Sequence, residues 1–147
     1  MKLLRTVAVV LGLMVAFQGA LFGFFGKDYN YITAEETAEL IRTAPESIVL
    51  VDIQEKAGFD KEHLKGAVDT YAYPVKSAED KAKIAAIMAD IKPDQKVIVV
   101  CPRGGGGADR AYDYLVENGI NEANVFTLKG GQEKWPRAKI SDVLVQQ

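Results

Sequence analysis

The sequence predicts an α/β domain with a mainly parallel sheet covered by helices on both faces, and three observations carry that expectation. Two runs without a polar residue, Ile48-Val49-Leu50-Val51 and Val97-Ile98-Val99-Val100, have the β-branched content of strands buried on both faces. Segments with apolar residues at helical spacing alternate with them. The length, 147 residues with 48% hydrophobic and 26% charged, suits one domain and excludes disordered and collagen-like chains.

The chain opens differently from the rest. Lys2 and Arg5 precede a run without charge from Thr6 to Phe25, a basic start followed by an apolar stretch, as in export signals. As a helix that run would reach about 30 Å, enough to cross a bilayer. Two readings of residues 1–26 stay open, a cleaved signal peptide and an uncleaved membrane anchor. Gln18-Gly19-Ala20 offers only a weak cleavage site, and Gln18 with Gly12, Gly19 and Gly23 weakens the anchor. Both readings put the remainder outside the cytoplasm, on the periplasmic side, because the basic residues hold the N-terminus inside.

The elements follow in order. Thr33-Ala34-Glu35-Glu36 is a capping box that starts a helix, Thr37, Leu40, Ile41 and Ala44 recur on one face, and Pro45 ends it. Residues 48–51 form the first apolar strand, and a short helical piece runs from Phe59 to Lys65, closed by Gly66. Ser77 caps a longer helix with Ile84, Ile87, Met88 and Ile91 on one side. After the strand at 97–100, Ala108, Ala111, Tyr112, Leu115 and Val116 make a further helical stripe that Asn118-Gly119 terminates. Asn124 to Leu128 reads as a strand, followed by Gly130-Gly131 and a turn to Trp135. The domain is expected over 31–136, with 137–147 as a C-terminal tail.

Chemistry concentrates where the second apolar run ends. Cys101 sits at the carboxyl end of Val97–Val100, followed by Pro102-Arg103, the four glycines Gly104 to Gly107, and a helix. Ligands of open α/β sheets bind at that edge. Residues without Cβ let backbone N–H groups curl around an anion or around the sulfur, and the helix start adds its own unpaired donors. These effects favour a thiolate and would equally hold a persulfide. Cys101 is therefore the candidate nucleophile, with Arg103, Gly104, Gly105, Gly106, Gly107, Ala108 and Arg110 as candidate binding residues. Arg103 supplies a charge within the loop, and Arg110 is placed to lean over its mouth.

Other chemistries are excluded by what is missing. No Gly-Lys-Ser/Thr follows the glycines, so a nucleotide P-loop fails, and Asp109 stands where a dinucleotide fingerprint needs glycine. One cysteine and one histidine cannot build a Cys-based zinc site, and a lone cysteine cannot close an intramolecular disulfide. Eighteen basic against twenty acidic residues, with no basic block, give no footprint for nucleic acid.

From Tyr31 to Pro136 the chain resembles a single-domain rhodanese. The residues that carry this are Tyr31-Ile32-Thr33-Ala34-Glu35-Glu36, Val51-Asp52, the Phe59, His63-Leu64, Gly66-Ala67 pattern, the cysteine loop, and Gly130-Gly131 with Trp135. The resemblance implies a five-stranded parallel sheet and a cysteine that carries sulfur as a persulfide, without metal or organic cofactor. Two departures stand out. Where the family often closes its loop with arginine or a small hydroxyl residue, this chain has Gly106, so a wider seven-residue loop, Cys101 to Gly107, is expected. Gln54 stands where many relatives have an arginine, which removes an ion pair with Asp52. Related phosphatases need an arginine where Gly107 stands, which argues against phosphate chemistry.

The resemblance thus implies a sulfurtransferase moving sulfane sulfur from a thiosulfate, polysulfide or persulfide donor to a thiophilic acceptor through a Cys101 persulfide, with small sulfur-containing anions and a sulfur-acceptor protein or membrane enzyme as partners. The alternative is a polysulfide carrier or docking module without turnover. His63 fits a framework role and Trp135 the core, whereas Tyr71 and Tyr73 receive no assignment.

Overall fold

A computed structural model describes residues 27–147; the two readings of residues 1–26 fall outside the described residues. The two apolar runs form the centre of a sheet. Strand β2 (Ile48–Asp52) pairs in parallel with β5 (Lys96–Val100), in register from Ile48 opposite Lys96 to Asp52 opposite Val100. Strand β6 (Val125–Leu128) lies beyond β5, with β1 (Tyr31–Ile32) outside it, and β4 (Val68–Asp69) flanks β2. All four pairings in the order β1-β6-β5-β2-β4 are parallel, which gives the expected five-stranded sheet.

Alternation along the strands divides the core into two. Val51, Ile53, Val97, Val99 and Cys101 face one side, against Ile84 of helix α3 (Ala78–Met88) and Ala108, Ala111, Tyr112 and Leu115 of α4 (Gly106–Glu117). Leu50, Ile98, Val100 and Leu128 face the other, against Ala38 and Ile41 of α1 (Ala34–Thr43) and Trp135. Each fully buried aliphatic side chain contributes roughly 1.5–3 kcal/mol relative to exposure, so the paired layers carry most of the stability.

Local signals set the helix starts. Thr33 accepts the Glu36 N–H at 3.1 Å while its own N–H donates to Glu36 at 3.0 Å, the reciprocal box expected. Ser77 and Asp80 repeat the device at α3.

Two expectations are corrected. The helical piece placed at Phe59–Lys65 is instead α2 (Lys56–Lys61) followed by strand β3 (Glu62–Leu64). Residues 137–147 are not a tail: β7 (Leu144–Gln146) pairs antiparallel with β3, and Ile140 and Val143 are buried in the second core. The two corrections have one cause, because β3 is extended where β7 pairs with it.

Candidate active site

Strand β5 delivers Cys101 to the carboxyl edge of the sheet, where the residue is 1% exposed and its Sγ accepts the Gly104 N–H at 2.6 Å. The contact directs a backbone donor at the sulfur. Helix α4 begins at Gly106 with Gly105 as its N-cap and no capping side chain. The loop between strand and helix therefore ends at Gly105, shorter than the expected Cys101–Gly107, because Gly106 and Gly107 already belong to the first helical turn. The first intrahelical bond is Asp109 N–H to the Gly105 carbonyl at 3.1 Å. Among the described residues, the N–H groups of Gly105, Gly106, Gly107 and Ala108 meet no protein acceptor. Four unpaired donors at a helix start thus follow the loop that opens at the buried thiol.

Each glycine of the run has its own reason. Gly104 has φ +71°, and a Cβ there would lie 3.0 Å from the Gly130 nitrogen, so both conformation and space demand glycine. Gly105 faces open space, which leaves the lip of the loop uncovered. A Cβ on Gly106 would come within 3.1 Å of Arg110 Nη1. One on Gly107 would press to 2.8 Å against the ring of Tyr73. Ala108 is buried in the core and offers the site only its backbone.

The two arginines differ sharply. Arg103, expected to bring charge into the loop, points outward: its side chain is 83% exposed and lies 3.4 Å from Glu133. Arg110 is half-buried, with Nε–H donating to the Pro74 carbonyl at 2.9 Å and its guanidinium resting over Gly106. Tyr73 and Pro74, to which the sequence alone gives no role, form a wall beside the helix start. No local signal marks them, since their contact with the loop comes from tertiary packing.

Behind the loop stands a clamp. Gly131 has φ +64°, and a Cβ there would fall 2.7 Å from the Gly104 nitrogen and nearer still to the Cys101 carbonyl oxygen. Gln132 N–H donates to the Cys101 carbonyl at 2.8 Å and Glu133 N–H to the Pro102 carbonyl at 3.0 Å. The Gln132 side chain donates to Glu62 at 2.7 Å, and Arg137 grips the same carboxylate with Nε and Nη2, each at 2.7 Å. Burial pushes the Glu62 carboxyl up, but donors from Arg137, Gln132 and Gln146 outweigh it and hold it below the ordinary range.

Two further groups are framework. Asp52, fully buried at the end of β2, is pushed up to about 6 by burial, which the Gln54 hydrogen bonds offset only in part. Gln54 supplies the neutral partner here, through its backbone N–H at 2.9 Å and its side-chain amide at 3.1 Å. His63 Nδ1 lies 2.8 Å from the Phe59 carbonyl and its ring stacks on Phe59 at 3.9 Å, a structural engagement.

Residues 33–138 match the family model described as the Rhodanese-like domain. Solved structures share the fold. A full-length protein from Lactobacillus plantarum superposes with TM-score 0.61 at 17% identity, covering 95% of this chain and 98% of that one. The Rhodanese-like domain of an Anabaena sp. protein gives 0.61 at 15% identity, covering 82% of this chain and 81% of that one. A rhodanese-related protein from Thermoplasma volcanium gives 0.57 at 18% identity, covering 81% of this chain and all of that one. At these identities the likeness is one of fold.

Proposed function

The chain belongs to the rhodanese-like domain family, which supports a sulfurtransferase-family or sulfur-binding module, and from that premise we propose that it transfers sulfane sulfur through a persulfide on Cys101. The Cys101 thiolate attacks the outer sulfur of a donor such as thiosulfate. A new S–S bond forms at Cys101, the donor S–S bond breaks, and sulfite leaves with the bonding electrons. A thiophilic acceptor such as cyanide then takes the terminal sulfur, leaving as thiocyanate, and the electron pair returns to Cys101. A thiolate nucleophile needs no general base, in keeping with a histidine engaged by Phe59.

One observation carries this reading: a buried thiol that receives an N–H at 2.6 Å, beside a helix start whose next four N–H groups have no acceptor among the described residues. Such donors suit the charge on a terminal persulfide sulfur or a bound oxyanion. The second reading, a polysulfide carrier without turnover, is favoured by the uncovered lip at Gly105, past which a longer sulfur chain can extend.

Intact mass of the full chain, purified in mild detergent and treated with thiosulfate or polysulfide, separates them. A transferase gains one sulfur and loses it to cyanide over many turnovers; a carrier gains sulfur and turns over poorly. Cys101→Ser abolishes the gain, and persistence of sulfur loading in that variant overturns both. The proposal also sets the domain outside the cytoplasm, on the strength of the charge-free run after Lys2 and Arg5. A reporter enzyme active only after export, fused after Gln147, is expected to be active, and an inactive fusion refutes export.

A further inference from the structure

The geometry points to Arg110 as the residue that selects donors bearing an oxyanion, an inference that rests on the persulfide reading and names its donor class. Arg110 stands one turn into α4 from Gly106. Its Nε–H is committed to the Pro74 carbonyl at 2.9 Å, which pins the guanidinium. With that tether the Nη1 and Nη2 atoms lie 3.1 and 3.6 Å from where a Gly106 Cβ would be. The side chain missing at Gly106 is what makes room for the guanidinium. Among the described residues, Nη1 and Nη2 meet no acceptor and no carboxylate.

Two parallel N–H groups on a planar fork match two oxygens of a sulfonate, as they match a carboxylate or phosphate. The tether removes much of the entropy that a free arginine would lose on binding. Arg103 has neither property: it is exposed, paired with Glu133, and screened by water. A donor of the thiosulfate class places its outer sulfur at Cys101 and its oxygens at Arg110. As the S–S bond breaks, sulfite leaves with both electrons, and the guanidinium stabilises the charge growing on its oxygens. An alkyl persulfide gives the same Cys101 persulfide and releases a thiolate with no oxygens to grip.

The test measures sulfur transfer to cyanide by the full chain in mild detergent, with thiosulfate and with 2-hydroxyethyl persulfide as donors. Arg110→Gln is expected to lower kcat/KM for thiosulfate by about 10- to 100-fold and for the alkyl persulfide by less than about threefold. Arg110→Lys recovers only part of the loss, because an ammonium lacks the fork. Arg103→Gln costs less than about threefold with thiosulfate. Equal losses for both donors in Arg110→Gln assign Arg110 to holding the Pro74 segment and overturn the inference. So does a larger loss from Arg103→Gln. A wild-type chain that loads from the alkyl persulfide but not from thiosulfate overturns the role of Arg110 and leaves the Cys101 reading intact; one that loads from neither refutes that reading as well.

Discussion

Replacing Gly131 by alanine tests whether the cysteine loop is held by backbone packed against backbone. Gly131 has φ +64°, and a side chain in that region costs about 1–2 kcal/mol. Gly66 isolates this contribution, since its φ is +80° and a Cβ would meet nothing within 4 Å. At Gly131 the added methyl also strikes main-chain atoms, 2.7 Å from the Gly104 nitrogen and 2.8 Å from the Arg103 nitrogen. Relieving that contact moves the loop or the turn by roughly half an ångström, and such overpacking costs about 1–3 kcal/mol more. Gly66→Ala is therefore expected to destabilise by about 1–2 kcal/mol and Gly131→Ala by about 2–5 kcal/mol. Urea unfolding followed by circular dichroism gives both values, and mass measurement of sulfur loading reports on the site. Loading by folded Gly131→Ala should slow by up to about 100-fold, because the sulfur and the Gly104 donor shift together out of register with the donor molecule. Equal destabilisation at the two glycines, with loading unimpaired, refutes the clamp.

The remaining predictions concern pH and the clamp's outer support. Asp52 is held at about 6 against an ordinary 3.8, so the folded state binds its proton more tightly than the unfolded chain. Its contribution falls as pH rises from about 4 through 6, by up to about 3 kcal/mol. The difference in unfolding free energy between Asp52→Asn and wild type should grow over that window in favour of the variant, and a difference independent of pH refutes the assignment. Glu62 behaves oppositely: its carboxyl lies below the ordinary range, so its contribution is present above its unfolded value and is lost as pH falls through the folded one. Arg137→Gln leaves Glu62 nearly buried with one partner removed and should cost about 2–3 kcal/mol by urea unfolding. Adding Glu62→Gln should recover part of that loss; additive costs refute the pairing. Cys101→Ser keeps a small buried side chain and should leave the unfolding free energy within about 1 kcal/mol of wild type while abolishing sulfur loading, which separates the chemistry of the thiol from its packing.

What the sequence by itself determined was whatever neighbours along the chain decide. Thr33 with Glu36, Asn118-Gly119 after α4, and the two apolar runs each act within a few residues, so the start of α1, the end of α4 and the central strands could be read directly. Cys101 at a strand end before a glycine run was legible for the same reason. Contacts between distant segments decided the rest. Strand β3 replaced an expected helix because β7, roughly eighty residues later, completes its hydrogen bonds, and the same pairing drew residues 137–147 into the domain. Arg103 and Arg110 look equivalent in sequence, yet one meets water and Glu133 while the Pro74 carbonyl holds the other over Gly106. Gly131 stands out in the sequence as half of a Gly-Gly pair, but its steric role shows only when the Cys101 carbonyl and Gly104 nitrogen are seen against it. Hydrogen-bond partners and steric limits of this kind belong to pairs of segments, and only the folded chain brings the pairs together.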